Sequence, residues 1–174
     1  CDCGLGQFKI YHEPFLGSAA AYLAFANVGL ISGGRLSDLN PHLVNVFRAA
    51  QLQASELISG MRVHALLDSD VHFSSVLGRL NIQSLSSNPD AQSASDVIYL
   101  LSQSFHSGWY ETLEGQIYMS RRQNGKSFQP SYQDIIRAAG LLRDAKILCR
   151  DFREALLEVC PGDLVFLDPP YLYG

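Results

Sequence analysis

Residues 168–171, Asp-Pro-Pro-Tyr, have types and spacing that could hold a planar amine. They follow an apolar run from Leu164 to Leu167, which predicts a buried parallel strand. Prolines cannot continue a sheet ladder and they fix the backbone. We therefore expect a stiff turn that holds a carboxylate, a backbone carbonyl and an aromatic ring around one small space. Its oxygens could accept from an exocyclic amine while the ring stacks on the amine's plane, although an ordinary acidic turn after a core strand would have the same sequence.

A glycine turn near the start of the chain is the second candidate. The segment 11–20, Tyr-His-Glu-Pro-Phe-Leu-Gly-Ser-Ala-Ala, predicts a strand, a tight turn and then a helix. Glycine lets the backbone approach a ligand closely, and the first turn of the helix offers its N–H groups. Asp38 follows a second predicted strand, Gly34 to Ser37, about where an acid binds ribose hydroxyls in dinucleotide-binding folds. Asp38 could instead be a turn residue or a helix cap.

Four motifs, taken in chain order, resemble those of the Dam-like, or D12-class, DNA adenine-N6 methyltransferases. The family pattern is E-P-F-x-G-x-G, D-x-N, D-F and then D-P-P-Y. It is matched here, in order, at Glu13, Asp38, Asp151 and Asp168. Asp151-Phe152 follows a third predicted strand, Lys146 to Cys149. The resemblance extends from about residue 8 to the last residue printed.

The resemblance implies that S-adenosylmethionine binds at the glycine turn and at the ends of the next two strands. The implied cofactor-binding residues are Glu13, Pro14, Phe15, Gly17, Ser18, Asp38, Asn40, Asp151 and Phe152. Ala19 replaces the second family glycine, so we expect a less open turn. Asn40 is also expected to cap a helix that begins at Pro41, and Asp151 could cap the helix that follows it.

The resemblance also implies that residues 168–171 carry methyl transfer to adenine N6 in DNA. The Asp168 carboxylate and the Pro169 carbonyl would accept the two amine hydrogens, which localises the nitrogen lone pair towards the methyl donor. The adenine cannot be reached inside a duplex and must be flipped out, with Tyr171, after Pro170, as its stacking surface. No metal is expected, since the five histidines show no ligand spacing.

Charge is unevenly distributed along the chain, whose net charge is −4. Residues 121–153 carry eight basic and three acidic side chains, a local balance of +5, and could therefore meet the phosphates of double-stranded DNA. Residues 121–130 resemble the family's N-x-x-G-x-F-N-x-P segment, with Gln129 in place of Asn. The candidate DNA-binding residues are Arg121, Arg122, Asn124 and Lys126. A solvated helix face would explain the same charges.

The pattern of elements predicts an α/β protein with a Rossmann-like S-adenosylmethionine-dependent methyltransferase fold and a mostly helical inserted DNA-recognition region. We expect residues 1–59 and 141–174 to form the methyltransferase domain and residues 60–140 to form the insertion. Predicted helices span 19–26, 41 to about 59, 61–80, 96–105, 132–142 and 153–159, and residues 85–95 are expected to form a loop.

Composition limits the class of protein. The apolar fraction of 47% and charged fraction of 17% are those of a soluble globular protein, and no apolar run approaches the roughly 20 residues of a membrane span. The four cysteines form no metal or disulfide framework, so we expect reduced thiols and a cytoplasmic location. No G-x-S-x-G elbow is present, which argues against a hydrolase of that type.

Alternatives to adenine methylation remain open. The chain begins with Cys and stops directly after the D-P-P-Y motif, so we expect a fragment that lacks both ends and is inactive alone. It could be a catalytically inactive fragment that binds cofactor or DNA. The protein could also methylate another amine, such as cytosine N4 or adenine in RNA.

Overall fold

The structure is a computed structural model that describes residues 8–83, 88–105, 109–112, 114–123 and 129–169. Strands alternate with helices in its first and last parts, and helices dominate between them. The strands are β1 (Tyr11–Glu13), β2 (Gly34–Asp38), β3 (Tyr110–Glu111), β4 (Ile117–Tyr118), β5 (Ala145–Cys149) and β6 (Leu164–Val165). The helices are α1 (Ala20–Asn27), α2 (Pro41–Leu52), α3 (Ala54–Leu67), α4 (Asp70–Ile82), α5 (Ala91–Gln103), α6 (Tyr132–Leu142) and α7 (Phe152–Leu156).

Four parallel strands form the main sheet, in the order β5-β2-β1-β6. The sheet grows from β1 through β2 to β5 and then continues on the other side of β1 with β6. Open α/β sheets bind ligands at such a reversal point, outside the carboxyl ends of the strands. The predicted α/β class is confirmed, and the reversal point lies between Glu13 and the residues that follow β6.

The predicted strands 34–37 and 146–149 and the predicted helix 132–142 agree with the structure to within one residue. Helix α6 begins with a reciprocal pair of bonds. The Asp134 N–H donates to Ser131 Oγ (3.1 Å), and the Ser131 N–H donates to the Asp134 carboxylate (2.9 Å). Local capping chemistry therefore determines where this helix begins.

The predicted helices between residues 41 and 105 are wrong in their bounds. Helix α2 ends at Leu52 rather than near residue 59, and the single residue Gln53, with φ −137°, separates it from α3. The predicted helix 61–80 is two helices, because Ser69 caps α4 by accepting from the His72 N–H. Helix α5 begins at residue 91 rather than 96, because Asp90 caps it, so the predicted loop 85–95 is too long.

Two predictions near the end of the described chain also need correction. Helix α7 covers five residues, fewer than the predicted 153–159. The strand before the D-P-P-Y motif is only partly buried, and Leu167 is 52% exposed. The reason is its place in the sheet, since β6 is an edge strand among the strands described.

The chain divides into two compact units, Cys1–Val44 with Gly140–Gly174, and Asn45–Ala139. The first contains the parallel sheet. The second is mainly helical, and its core contains Phe73, Val76, Leu80, Val97, Tyr99, Leu100, Ile117 and Met119. The predicted boundary at residue 60 lies inside α3, and this unit begins earlier. None of the helices described is long and apolar enough to cross a membrane.

Candidate active site

The glycine turn is tied to the neighbouring strand by backbone hydrogen bonds. The Leu16 N–H donates to the Ser37 carbonyl (2.9 Å), and the Ala19 N–H closes the turn on the Leu16 carbonyl (2.7 Å). Gly17 has φ 48° and Ala19 has φ 57°, both in the left-handed region. Ala19 therefore adopts the backbone conformation that favours the glycine expected there, at a cost of about 1–2 kcal/mol.

Asp38 connects this turn to the start of helix α2. Its Oδ2 accepts from the Gly17 N–H (2.9 Å), and its Oδ1 accepts from the Asn40 N–H (2.9 Å). Asp38 is therefore the turn residue that the sequence left open as an alternative, and it does not cap α2 itself. Each carboxylate oxygen can accept a second hydrogen bond, so the ribose role stays a prediction.

The remaining cofactor candidates cap helices or pack against the turn. Asn40 Oδ1 accepts from the His42 N–H (2.9 Å), which confirms the predicted cap of α2. Asp151 caps α7 by accepting from the Arg153 N–H (2.8 Å). The rings of Phe15 and Phe152 pack together with centroids 4.9 Å apart. The glycine turn and the D-F pair therefore meet through their aromatic side chains.

A small cavity brings the first and last motifs together. It has a volume of about 160 Å³, and its lining includes Glu13, Phe15, Gly17, Phe166 and Asp168. It lies at the carboxyl ends of β1 and β6, where the sheet order reverses. Small-molecule sites usually measure roughly 300–1,000 Å³, so this cavity can admit only part of a nucleoside-sized ligand.

Glu13 is the buried acid of this cavity, with only 2% of its surface exposed. Its Oε2 accepts a hydrogen bond of 2.7 Å from the Tyr11 hydroxyl. Burial raises the pKa of Glu13, and the charge of Asp168 raises it further, whereas bonds from the Tyr11 hydroxyl and the Tyr22 N–H lower it. Tyr11 lies outside the four sequence motifs and was not among the predicted site residues, although residues two apart on a strand face the same side.

Asp168 and Pro169 are exposed and follow the carboxyl end of β6. Pro170 and Tyr171 lie outside the described residues, so their catalytic roles stay predictions. A larger cavity of about 520 Å³ lies at the amino ends of the strands, lined by Tyr11, Gly34 and Asp144 among others. It contains none of the predicted site residues, and we do not assign the chemistry to it.

Arg121 has acidic partners within its own unit. Its guanidinium binds Asp68 at 2.6 Å and also pairs with Asp70. Arg122 donates to the Ser104 carbonyl at 3.3 Å. Asn124 and Lys126 lie outside the described residues. Contact of these four residues with DNA phosphates stays a prediction, and at Arg121 a phosphate would compete with two carboxylates.

In the helical unit, the buried carboxylate of Asp96 has partners at both of its oxygens. Asp96 is completely buried and binds the Arg79 guanidinium through both oxygens (2.8 Å each) and His64 at 3.0 Å. Burial alone would raise the pKa of Asp96, but hydrogen bonds from His64 and Arg79 lower it. Among the residues described, no group of three or more His, Cys, Asp or Glu could hold a metal ion.

The protein is therefore an α/β protein in which acidic side chains lie together where parallel strands end. Residues 5–173 match the family model of the D12 class N6 adenine-specific DNA methyltransferases, and the chain belongs to this family. The chain is also similar to a type II methyltransferase, M1.LlaDCHI, of Lactococcus lactis subsp. cremoris. The two are 24% identical over 173 residues, which cover 95% of this chain and 58% of the relative.

Proposed function

We propose that the full-length protein transfers a methyl group from S-adenosylmethionine to the N6 amine of adenine in double-stranded DNA. One observation carries this proposal: Glu13 of the glycine turn and Asp168 of the D-P-P-Y motif line the same cavity. Methyl donor and acceptor must approach to roughly 3–3.5 Å, so the residues that hold them must be neighbours. Membership of the D12 class supports the choice of substrate.

We also infer a Rossmann-like methyltransferase fold for the unit that contains the sheet. The parallel order β5-β2-β1-β6 supports it, because this order has the reversal point of open, doubly wound sheets. In such folds a cofactor lies across the carboxyl ends of the strands. The predicted cofactor residues at the ends of β1, β2 and β5 agree with this position.

The chemistry of the residues present fits S-adenosylmethionine, which when bound supplies an electrophilic methyl group. The acid Glu13 suits its cationic groups, and the free acceptor capacity of Asp38 suits its ribose hydroxyls. Phe15 and Phe152 offer flat apolar surface for its adenine. Pro14, Gly17, Ser18, Asn40 and Asp151 complete the proposed cofactor-binding set.

The proposed catalytic group is residues 168–171. The Asp168 carboxylate and the Pro169 carbonyl hold the two hydrogens of the target amine, so that the nitrogen lone pair faces the methyl donor. The amine nitrogen would form its bond to the methyl carbon as the carbon–sulfur bond of the bound donor breaks, which leaves S-adenosylhomocysteine, and the amine proton would pass from the Asp168 carboxylate to solvent. Pro170 stiffens the turn, and the Tyr171 ring stacks on the flipped base.

The helical unit is the proposed DNA-recognition region, predicted for residues 60–140. Its separate core of helices and a short hairpin supports an inserted module. Arg121, Arg122, Asn124 and Lys126 are the proposed phosphate contacts, because they begin the basic stretch 121–153.

The relative's name suggests a biological setting. It is called a type II methyltransferase, and we propose that this protein also acts in restriction–modification, in the cytoplasm. The chain spans 58% of the length of that relative. We therefore assign methyl transfer to the full-length protein and, for these 174 residues alone, propose cofactor or DNA binding without turnover.

Replacing Asp168 tests this proposal. In the full-length protein, Asp168→Ala should slow methyl transfer about 100- to 1,000-fold, because it removes an acceptor needed as the amine reacts. Cofactor binding should persist, since loss of the Asp168 charge lowers the pKa of Glu13 and favours its anionic form. A single-turnover assay with labelled methyl donor on duplex DNA measures the chemical step.

Asp144→Ala is the matched control, since Asp144 is an exposed acid at the amino ends of the strands. It should transfer methyl groups normally. Near-normal transfer by Asp168→Ala would contradict the proposed mechanism.

Replacing Tyr171 tests capture of the flipped base in the same assay. Tyr171→Phe should reduce methyl transfer only slightly, because stacking needs only the ring, whereas Tyr171→Ala should impair capture of the base.

A further inference from the structure

We propose that Tyr11 is a positioning residue of the cofactor site, whose hydroxyl holds the Glu13 carboxylate in place as an anionic partner for the cationic cofactor. This inference rests on the proposed function, because it assigns Glu13 to binding S-adenosylmethionine. It adds a residue outside the four motifs and predicts that cofactor binding depends on the protonation of one buried acid.

The contact between Tyr11 and Glu13 is short and buried. The Tyr11 hydroxyl donates to Glu13 Oε2 at 2.7 Å, and the two residues are 1% and 2% exposed. The Tyr11 ring is held by the rings of Tyr22 and Phe25, each with its centroid 6.0 Å away. A side chain packed in this way keeps its donor at a fixed place, with little entropy left to lose when the cofactor binds.

Helix α1 also favours the charged form of Glu13. The backbone N–H of Tyr22, in the first turn of this helix, lowers the pKa of Glu13. The residue at the N-cap position, Ala19, supplies no side-chain hydrogen bond to the helix. An anion is favoured near the N-terminus of a helix, because the backbone N–H groups there lack partners within the helix.

Opposing influences make the charge of Glu13 sensitive to the loss of one donor. Burial is the largest of these influences and raises the pKa of Glu13. The carboxylate of Asp168, beyond β6, acts in the same direction. Tyr11 on β1 and Tyr22 on α1 act against them. The register partner of Glu13 on β2 is the apolar Leu36, which brings no charge.

The direction of the pH dependence follows from these contacts. Binding of a cation requires ionised Glu13, so affinity should fall as pH decreases through the Glu13 pKa. Removal of the Tyr11 hydroxyl removes a bond that lowers this pKa. The midpoint of the loss of binding should then move to higher pH, which a purely structural role of Tyr11 would not cause.

Tyr11→Phe in the full-length protein tests the inference, because it removes the hydroxyl and keeps the ring. Isothermal titration with S-adenosylmethionine should show affinity about 3- to 10-fold lower at neutral pH and a midpoint shifted to higher pH. Tyr99→Phe is the matched control. It also removes a buried tyrosine hydroxyl that donates to a carboxylate, that of Asp68 (2.8 Å), but it lies in the helical unit. Its midpoint should equal that of the wild type.

Glu13→Gln provides a second, independent variant that keeps the side-chain shape. Its affinity should be low and should no longer change with pH over the wild-type transition. An unshifted midpoint in folded Tyr11→Phe, or a transition that survives in Glu13→Gln, would overturn the role of Tyr11. Failure of the wild type to bind S-adenosylmethionine at any pH would instead refute the proposed function.

Discussion

At the residue scale, the acids of the candidate site are structural groups as well as proposed ligand groups. Asp38 uses both oxygens on backbone amides, Asp151 caps a helix, and Glu13 accepts from a buried tyrosine. These backbone and side-chain partners hold the three acids before any ligand arrives. Such an arrangement lowers the cost of ordering the site on binding.

Asp38→Ala should reduce both stability and cofactor affinity. It removes the acceptor of the Gly17 and Asn40 N–H groups, so the turn and the start of α2 lose their common partner. We expect the free energy of unfolding to fall by about 1–2 kcal/mol, together with weaker binding of S-adenosylmethionine. Urea unfolding followed by circular dichroism measures the first effect, and isothermal titration measures the second.

Asp90→Ala is the control for this prediction. Asp90 also accepts from two backbone amides, those of Gln92 and Ser93, but it belongs to the helical unit. This variant should be destabilised by a similar amount and keep its cofactor affinity. An Asp38→Ala protein with wild-type stability and weaker binding would mean that Asp38 only contacts ligand, and unchanged binding would remove the ribose assignment.

At the element scale, the packing of α3 against α5 depends on a glycine. A Cβ added to Gly60 would lie 2.3 Å from Ser95 Oγ and 2.7 Å from Ser95 Cβ. Both residues are buried, so the neighbouring helix cannot move away freely. By contrast, a Cβ added to Gly78 on α4 meets nothing within 4 Å.

Gly60→Ala and Gly78→Ala should therefore have opposite effects on stability. Alanine favours a helix over glycine by about 1 kcal/mol, so Gly78→Ala should stabilise by about that amount. Gly60→Ala should destabilise by about 1–2 kcal/mol, because overpacking outweighs the helix preference. Chemical denaturation of the two variants gives the difference. If Gly60→Ala proved as stable as Gly78→Ala, the close approach of α3 and α5 would be refuted.

At the scale of the whole molecule, one stretch of the chain is basic while the chain as a whole is acidic. Net charge is −4, yet residues 121–153 have eight basic and three acidic side chains. Arg121, at the start of this stretch, is paired with Asp68 and Asp70. In the proposed contact of Arg121 with DNA, phosphates would therefore have to compete with these carboxylates, whereas a solvated arginine would face only water.

Neutralising Arg121 and Arg122 together should weaken DNA binding and flatten its dependence on salt. Each phosphate that the protein no longer neutralises makes the slope of log K against log salt shallower by about 0.9, so for the double Gln variant the change should be up to about 1.8. Fluorescence anisotropy at several salt concentrations measures the slope. Lys9→Gln with Arg35→Gln controls for net charge, since these residues lie outside the basic stretch. Equal slopes for wild type and the Arg121/Arg122 variant would mean that these arginines do not touch phosphates.

Local sequence determined several elements correctly. Strands β2 and β5 and helix α6 were predicted to within one residue, because the glycine break before β2, the apolar run of β5 and the Ser131–Asp134 box act over a few positions. The bounds of α2 to α5 were wrong. Apolar periodicity continues across Gln53 without Gly or Pro, and long-range packing decides where one helix ends and the next begins.

The order of the four motifs was enough to indicate the family, and the type of each site residue was readable from the sequence. Tertiary structure alone decided which of them meet. Glu13 and Asp168 share a cavity because β6 pairs directly with β1, and strand order depends on contacts between distant segments. The exposure of β6, the bond from Gly17 to Asp38 and the acidic partners of Arg121 are likewise set by neighbours far away in the chain, which no local pattern encodes.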